Sequence, residues 1–243
     1  MTSYGIIPAR LGSSRFPAKV IASVCGKPLV QYIWEAAKKS KKLKKVLIAV
    51  DSSEVMKRVQ SFGAEAVMTP SDLPSGSDRV AFVAKDLSAD IIVNLQADEP
   101  LLPADAIDEL VQAIEEDPEL SLGTLAILKK DPTSFQDPNI VKCVMDSRRR
   151  ALYFSRKPLG SSPEGDFYKH VGIYAYRKEA LLKLSHLPPS PLERTEKLEQ
   201  LRALENGFSI GVRLLTQDTY AVDLPTDIPT VESILRALQG MVN

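Results

Sequence analysis

The chain has 243 residues, enough for one α/β domain with a sizeable core. Lys plus Arg and Asp plus Glu both number 31, so there is no overall basic field for nucleic acid or an anionic membrane, and any anion site is local. No run approaches the ~20 apolar residues that span a bilayer, and no signal pattern opens the chain, so a cytoplasmic location is expected. Cys25 and Cys143 lack C-x-x-C partners, which leaves no disulfide framework or zinc site to expect.

The first predicted strand, Tyr4 to Pro8, runs directly into Ala9-Arg10-Leu11-Gly12-Ser13-Ser14-Arg15-Phe16-Pro17-Ala18-Lys19. Loops at the carboxyl ends of parallel strands are where α/β sheets bind ligands. Arg10, Arg15 and Lys19 together suit a polyanion such as a nucleoside triphosphate, which predicts phosphate chemistry. Two familiar phosphate loops are excluded. No G-x-G-x-x-G follows the strand, since Gly12 is the only glycine between it and Lys19, and Gly26-Lys27 lacks the upstream glycine and the Ser or Thr of a P-loop.

Further strands are predicted at Lys45 to Val50, Ala64 to Met68 and Ile91 to Leu95. Between them, Leu29, Ile33, Ala36 and Ala37 share one helical face, Val55, Val59 and Phe62 a second, and Val80, Val83, Ala84 and Leu87 a third. This alternation implies a buried, mostly parallel sheet with helices on both faces. The cationic run Lys38 to Lys45 falls where a helix ends, favours its dipole there, and reads as a solvated face. Pro74-Ser75-Gly76-Ser77-Asp78-Arg79 joins a strand end to a helix start. Its backbone N–H groups can meet an anion or a base edge, and Arg79 adds a fork. On the residues alone, a plain Gly-Ser helix entry serves equally well.

The strand from Ile91 ends in Asn94-Leu95-Gln96-Ala97-Asp98-Glu99-Pro100. Asp98 is a natural Mg²⁺ ligand there, because Mg²⁺ binds through one or two carboxylates plus substrate phosphates. The alternative is an acidic turn that complements the next helix dipole. A metal site needs a second acid, and Val222-Asp223-Leu224-Pro225-Thr226-Asp227 supplies Asp223 at a predicted strand-to-helix turn. Asp227 is assigned as the cap of the closing helix.

Between these acids, Ile107, Leu110, Val111 and Ile114 mark a helix and Ser121 to Leu128 a strand. Val141 to Met145, Ala151 to Phe154 and Val171 to Tyr176 follow as short strands with little helix between them, and Pro158 to Gly165 is a turn-rich loop. Together they read as a small β-rich subdomain inserted into the sheet. Ser190-Pro191-Leu192-Glu193 is a capping box. It opens a helix with Leu198, Leu201 and Leu204 on its buried face and Gly207 at its end. A strand at Phe208 to Leu215 and a helix at Asp227 to Leu238 complete the chain.

The segments P-A-R-L-G-S-S-R-F-P-A-K, S-G-S-D-R, V-N-L-Q-A-D-E-P, A-L-Y-F-S-R, H-V-G-I-Y-A-Y-R, S-P-L-E with E-Q-L-R-A-L-E-N-G, and V-D-L-P-T-D occur in this order across nearly the whole chain. Together they closely resemble the 3-deoxy-manno-octulosonate (Kdo) cytidylyltransferases, the CMP-Kdo synthetases of lipopolysaccharide synthesis. The resemblance implies a single nucleotidyltransferase domain over residues 1–243 with a nucleotide-diphospho-sugar transferase-like, Rossmann-like α/β fold. Residues from approximately 130–190 would form its inserted sugar-binding and dimerisation subdomain. The implied reaction moves CMP from CTP to the anomeric hydroxyl of Kdo and releases diphosphate, in a homodimer that uses Mg²⁺ and has no nucleic-acid or membrane partner.

The same resemblance implies catalytic roles for Arg10, Arg15, Lys19, Asp98 and Asp223, with Asp98 and Asp223 holding Mg²⁺. CTP would be met by Ala9, Arg10, Leu11, Ser13, Arg15 and Lys19 from the first loop, by Ser75, Gly76, Ser77 and Arg79 from the second, and by Gln96. Kdo would be met by Arg79, Gln96, Arg156, His170, Tyr174, Glu199 and Gln200. Arg156, at a strand end, has a fork that can clamp a carboxylate in two bonds. His170 and Tyr174 lie four apart on a strand and face one side; without the resemblance they read as a satisfied strand histidine and a sheet aromatic. Such chemistry rests on in-line positioning and charge neutralisation, needs no nucleophilic side chain, and leaves no general base identified.

The chain departs from the family pattern at Ala18 and Ala97, where Gly is usual, at Val20, where Pro is usual, and in the Lys157 to Phe167 loop, which lacks the usual Ile-Pro. Sugar identity is therefore less determined than the nucleotide, with 8-amino-Kdo or a sialic acid as alternative acceptors. Sialic acid enzymes usually place Asn after the loop lysine, where this chain has Val20. A non-catalytic nucleotide-binding paralogue would show damage at the acids or cations, all of which are present.

Overall fold

The computed structural model describes residues 1–12, 15–159 and 166–240, the side chain of Gln239 excepted. The candidate residue Ser13 and most of the predicted loop at Pro158 to Gly165 lie outside the described residues. In chain order the elements are β1 (Ser3–Ala9), a 3-10 turn at Lys19–Ile21, β2 (Ser23–Val24), β3 (Lys27–Pro28), α1 (Leu29–Lys39), β4 (Leu43–Val50), α2 (Ser53–Gln60), β5 (Glu65–Met68), α3 (Gly76–Ala84) and β6 (Ile91–Asn94). There follow α4 (Ala104–Glu116), β7 (Leu122–Lys130), α5 (Pro132–Gln136), β8 (Lys142–Met145), β9 (Ala151–Ser155), β10 (Asp166–Arg177) and α6 (Lys178–Ser185). The chain ends with α7 (Pro191–Glu196), α8 (Gln200–Glu205), β11 (Ile210–Leu215), a 3-10 turn at Pro225–Asp227 and α9 (Ile228–Gly240). No described helix is long and apolar enough to cross a membrane.

The chain divides into two units, one made of Thr2–Ala89, Val93–Asp108 and Thr219–Asn243, the other of Met1, Asp90–Ile92 and Glu109–Asp218. In the first, β1 pairs in parallel with β4, and β4 with β5. Both central strands are apolar on both faces, as strands between helix layers must be: Ile6, Ile7, Leu47, Ile48 and Val50 are fully or almost fully buried. The register sets Ala9 beside Val50, so the chain leaves both strands at the same edge. α1 covers them with Leu29, Val30, Ile33 and Ala37. Ser52 caps α2 by accepting from Val55 N–H, and Ser75 caps α3 by accepting from Asp78 N–H.

Val24, Leu29, Tyr32, Val222, Val231 and Leu235 form a separate buried cluster in this unit. It fixes α9 and the segment before it. Burying a Val or Leu side chain is worth about 1.5–3 kcal/mol, so Val222 is a firm anchor. Residues 218–224 form no strand, which corrects the predicted strand-to-helix turn at Asp223. The segment is held instead by this cluster and by Val222 N–H donating to Asp98 O at 2.9 Å.

In the other unit β7 pairs in parallel with β11 and antiparallel with β10, while β8 pairs antiparallel with β10 and β9. This unit therefore mixes parallel and antiparallel pairs. The strand predicted at Val171 to Tyr176 is the second half of the longer β10, whose register shifts between Val171 and Tyr174. Two short helices join the expected strands. α5 carries an N-cap at Asp131 and proline at its first turn, and α6 begins directly after β10.

The single helix predicted from Ser190 to Asn206 is two. The capping box at Ser190 and Glu193 is present, but Lys197 takes a left-handed conformation at φ 55, ψ 48 and breaks the helix into α7 and α8. The break folds α8 back so that Arg202 donates to both carboxylate oxygens of Glu193. Burial works against the Glu193 charge, but the Arg202 and Ser190 hydrogen bonds outweigh it and hold the pKa below the ordinary value.

Gly211 faces Gly123 across β11 and β7. A methyl group at Gly211 would lie 2.7 Å from Leu120 Cδ1. Gly211→Ala should therefore lower stability by about 1–3 kcal/mol through overpacking, measured by urea unfolding, and Leu120→Ala in the same chain should recover part of the loss. Full additivity of the two changes would show that they do not meet.

Candidate active site

The candidate residues fall into two groups, one in each unit. The first group is built where β1 and β4 end. Lys19 donates from Nζ to Asp98 Oδ2 at 2.6 Å and lies 3.5 Å from Asp223 Oδ1, which also accepts from Arg15 Nη2 at 3.1 Å. The Lys19 side chain is 13% exposed, which strengthens these attractions relative to solvated pairs. Two acids from distant segments thus share one ammonium. Asp227, expected to cap the closing helix, instead closes the 3-10 turn before it, accepting from Asp223 N–H and Leu224 N–H at 2.8 Å each.

Arg10 is exposed and lies close enough to oppose the charge of Arg79. Ala9, the last residue of β1, is fully buried. Leu11 O accepts from Ala18 N–H at 3.1 Å, which draws the two ends of the cationic segment together. Ala18 closes this turn at φ 55, ψ 25, so one of the positions where the chain departs from the usual glycine is a left-handed one.

The Ser75 to Arg79 segment divides its roles. Ser75 donates from its hydroxyl to Asp78 Oδ2 at 2.8 Å, and Gly76 lies against the Pro8 ring. Asn94 Nδ2 reaches Ser77 Oγ at 3.4 Å, and Gln96 Nε2 donates to Asn94 Oδ1 at 3.2 Å. Asn94 is fully buried and was not among the predicted site residues; its polar identity at the end of an apolar strand is the signal that marks it. Arg79, expected to offer a fork to nucleotide and sugar, is only 1% exposed and is placed beneath the loop instead. Its Nη1 donates to Thr69 Oγ1 and to Pro70 O, and burial lowers its pKa, partly countered by Asp51.

In the second group, Arg156 spends its donors on backbone carbonyls. Nε donates to Glu196 O at 3.0 Å, Nη1 to Pro138 O at 3.2 Å and Nη2 to Lys197 O at 3.5 Å. Lys142, buried in β8, donates to Asp137 O at 2.6 Å and Arg156 O at 3.1 Å, so it fixes the backbone of Arg156. Desolvation lowers the pKa of this lysine, with Asp137 acting against the shift.

His170 and Tyr174 do face one side, with ring centroids 5.6 Å apart. The His170 ring also meets Phe154 at 4.8 Å, and its Nε2 lies 2.9 Å from Thr124 Oγ1. Thr124 has one proton to give and lies 2.9 Å from Ile173 O. With that proton on Ile173 O, Thr124 accepts from His170 Nε2–H, and Nδ1 is left as an acceptor. Thr124 on β7 carried no sequence signal. Burial raises the Tyr174 pKa well above its ordinary value, with Tyr176 and Glu199 adding to the shift. Glu199 is exposed. Gln200 is buried, and its Nε2 has no hydrogen-bond partner among the described residues.

Burial pushes the His170 pKa down to about 3, so the imidazole stays neutral at physiological pH. The unfolded chain takes up this proton near pH 6.5. The resulting stability is complete above that pH and is lost progressively as the pH falls towards 3. Between pH 7 and pH 5 the thermal midpoint should fall less for His170→Gln than for the wild type, and equal slopes would count against a neutral buried imidazole. Ala18→Gly should raise stability by about 0.5–1 kcal/mol in chemical denaturation, the net of relieved left-handed strain and added chain entropy. A loss of stability would argue against the left-handed turn.

A family model described as cytidylyltransferase matches residues 4–213. The chain is 45% identical over 236 residues to a protein of Chloroherpeton thalassium named 3-deoxy-manno-octulosonate cytidylyltransferase, covering 95% of this chain and 96% of that one. It is 44% identical to a protein of the same name from Solibacter usitatus, over 98% and 97% of the two chains. Among solved structures, a CMP:2-keto-3-deoxy-manno-octonic acid synthetase complexed with CTP superposes with a TM-score of 0.93 at 37% identity, over 98% of this chain and 99% of that one. A cytidylyltransferase from Leptospira borgpetersenii shares the fold with a TM-score of 0.65 at 19% identity, over 96% and 86%.

Proposed function

Because the chain belongs to the 3-deoxy-manno-octulosonate cytidylyltransferase family, we propose that it transfers CMP from CTP to the anomeric hydroxyl of Kdo and releases diphosphate, the activation step for lipopolysaccharide synthesis. The observation that carries the site assignment is the convergence of Arg15, Lys19, Asp98 and Asp223. The sugar oxygen forms a bond to the α-phosphorus, the bond to the bridging oxygen of the departing diphosphate breaks, and the hydroxyl proton leaves to solvent.

Arg10, Arg15 and Lys19 bind the triphosphate and neutralise charge that gathers on the departing oxygen. The start of α3, with Ser77 and Gln96 held by Asn94, faces the nucleotide, while Arg79 supports it from below. Two partly exposed carboxylates that converge on one cation fit a hard divalent ion that keeps phosphate and water ligands. Asp98 and Asp223 would hold Mg²⁺, which when bound supplies charge neutralisation at the reacting phosphate. In the other unit, neutral His170 together with Tyr174, Glu199 and Gln200 offers hydrogen bonds to sugar hydroxyls. Arg156 meets the sugar carboxylate by exchanging its long contact with Lys197 O.

We place the enzyme in the cytoplasm as a homodimer. The exposed Leu128, Val144 and Leu152 in the β-rich unit support a second copy as their cover, and light scattering that finds only monomer would refute this. The reaction is tested by diphosphate release from CTP with Kdo, 8-amino-Kdo and a sialic acid in parallel. Kdo should turn over fastest, and no turnover with Kdo would overturn the proposal. Asp98→Asn and Asp223→Asn should each lower kcat about 10²–10³-fold at saturating Mg²⁺. Full Mg²⁺-dependent activity in Asp98→Asn would remove it from the metal site.

A further inference from the structure

Resting on the reading of the cationic loop as the triphosphate site, we propose that Asp51 is the positioning residue that sets this loop. β1 and β4 end side by side with Ala9 opposite Val50, so Asp51 emerges beside Arg10. Its Oδ1 accepts from Leu11 N–H at 2.9 Å. Leu11 is therefore held on both sides of its residue, by Asp51 at the amide and by Ala18 at the carbonyl. Lys19 follows Ala18 directly and reaches Asp98. A continuous line of contacts runs from the end of β4 to the acid assigned to the metal.

The carboxylate is itself fixed. Asp51 lies between the last residue of β4 and Ser52, the cap of α2, and its side chain is 10% exposed. Its Oδ2 lies 3.8 Å from Arg79 Nη2. Arg79 is held in turn by Thr69, whose hydroxyl and N–H both reach Val50 O at 2.8 Å. Arg79 is an almost fully buried cation whose Nε has no partner among the described residues, and Arg10 opposes its charge. Asp51 is the carboxylate that offsets this pair of guanidiniums, so one side chain both balances the buried charge and fixes the direction in which Arg10 and Leu11 leave the sheet. An acceptor oxygen at this place holds the loop peptide at Leu11 N–H.

The test separates positioning from bulk stability. Asp51→Ala should raise the KM for CTP about 10–100-fold and leave the KM for Kdo within about twofold. Asp51→Asn keeps a carbonyl oxygen for Leu11 N–H and should return the KM for CTP to within about fivefold of the wild type. Equal impairment of both variants, parallel rises in both KM values, or a lowered thermal midpoint with the KM for CTP unchanged would overturn the inference. In the wild-type protein the Leu11 amide should exchange slowly with solvent, and exchange at the rate of an unprotected amide would also overturn it. Lys19→Met serves as the control for the underlying reading: a KM for CTP unchanged in that variant would refute the loop as triphosphate site, whereas a raised value with an unaffected Asp51→Ala would refute Asp51 alone.

Discussion

The proposed triphosphate site depends on one ammonium group shared by two carboxylates. Lys19, Asp98 and Asp223 come from the first loop, the end of β6 and the approach to α9, and their charges meet within 2.6 and 3.5 Å. Without the lysine, the two acids would oppose each other at the same place. The arrangement is a place where a cation is required, and the protein supplies one from its own chain. Each participant is delivered by a different device: Lys19 by a left-handed turn at Ala18, Asp98 by the end of a buried strand, and Asp223 by a backbone hydrogen bond and the anchoring of Val222.

The other unit is built on a different electrostatic plan. Its His170 is neutral because its surroundings exclude the charged form, and its Nε2 meets the Thr124 hydroxyl. Two of its cations, Lys142 and Arg156, are turned towards backbone carbonyls. Charge concentrated on a loop suits a polyanion, and neutral donors and acceptors on a strand suit hydroxyl groups. The two substrates of the proposed reaction differ in just this way.

The family, the reaction and the parallel core were legible in the sequence because they rest on local signals: apolar runs of strand length, helical spacing, and ordered motifs rich in Arg, Asp and Gly. The break at Lys197 was not, because a capping box followed by helical leucines predicts one continuous helix; the Glu193 and Arg202 pair that goes with the fold-back is visible only after the chain has turned. Arg79 looked like a ligand fork because an arginine in a loop is usually solvated. Its burial depends on Thr69, Pro70 and Asp51, which come from other segments.

Residue types and their order by themselves determined that cations would follow the first strand, that an acid would end the strand at Ile91, and that the capping box at Ser190 would start a helix. These are properties of a few consecutive residues, set by backbone propensity and side-chain chemistry. Only the tertiary structure decided which acids share Lys19, which hydroxyl His170 meets, and that Asp51, Asn94, Thr124 and Lys142 support the residues in front of them. Those outcomes depend on contacts between residues far apart in the chain, and a hydrogen bond of about 3 Å is specified by strand register and packing, which no local pattern encodes.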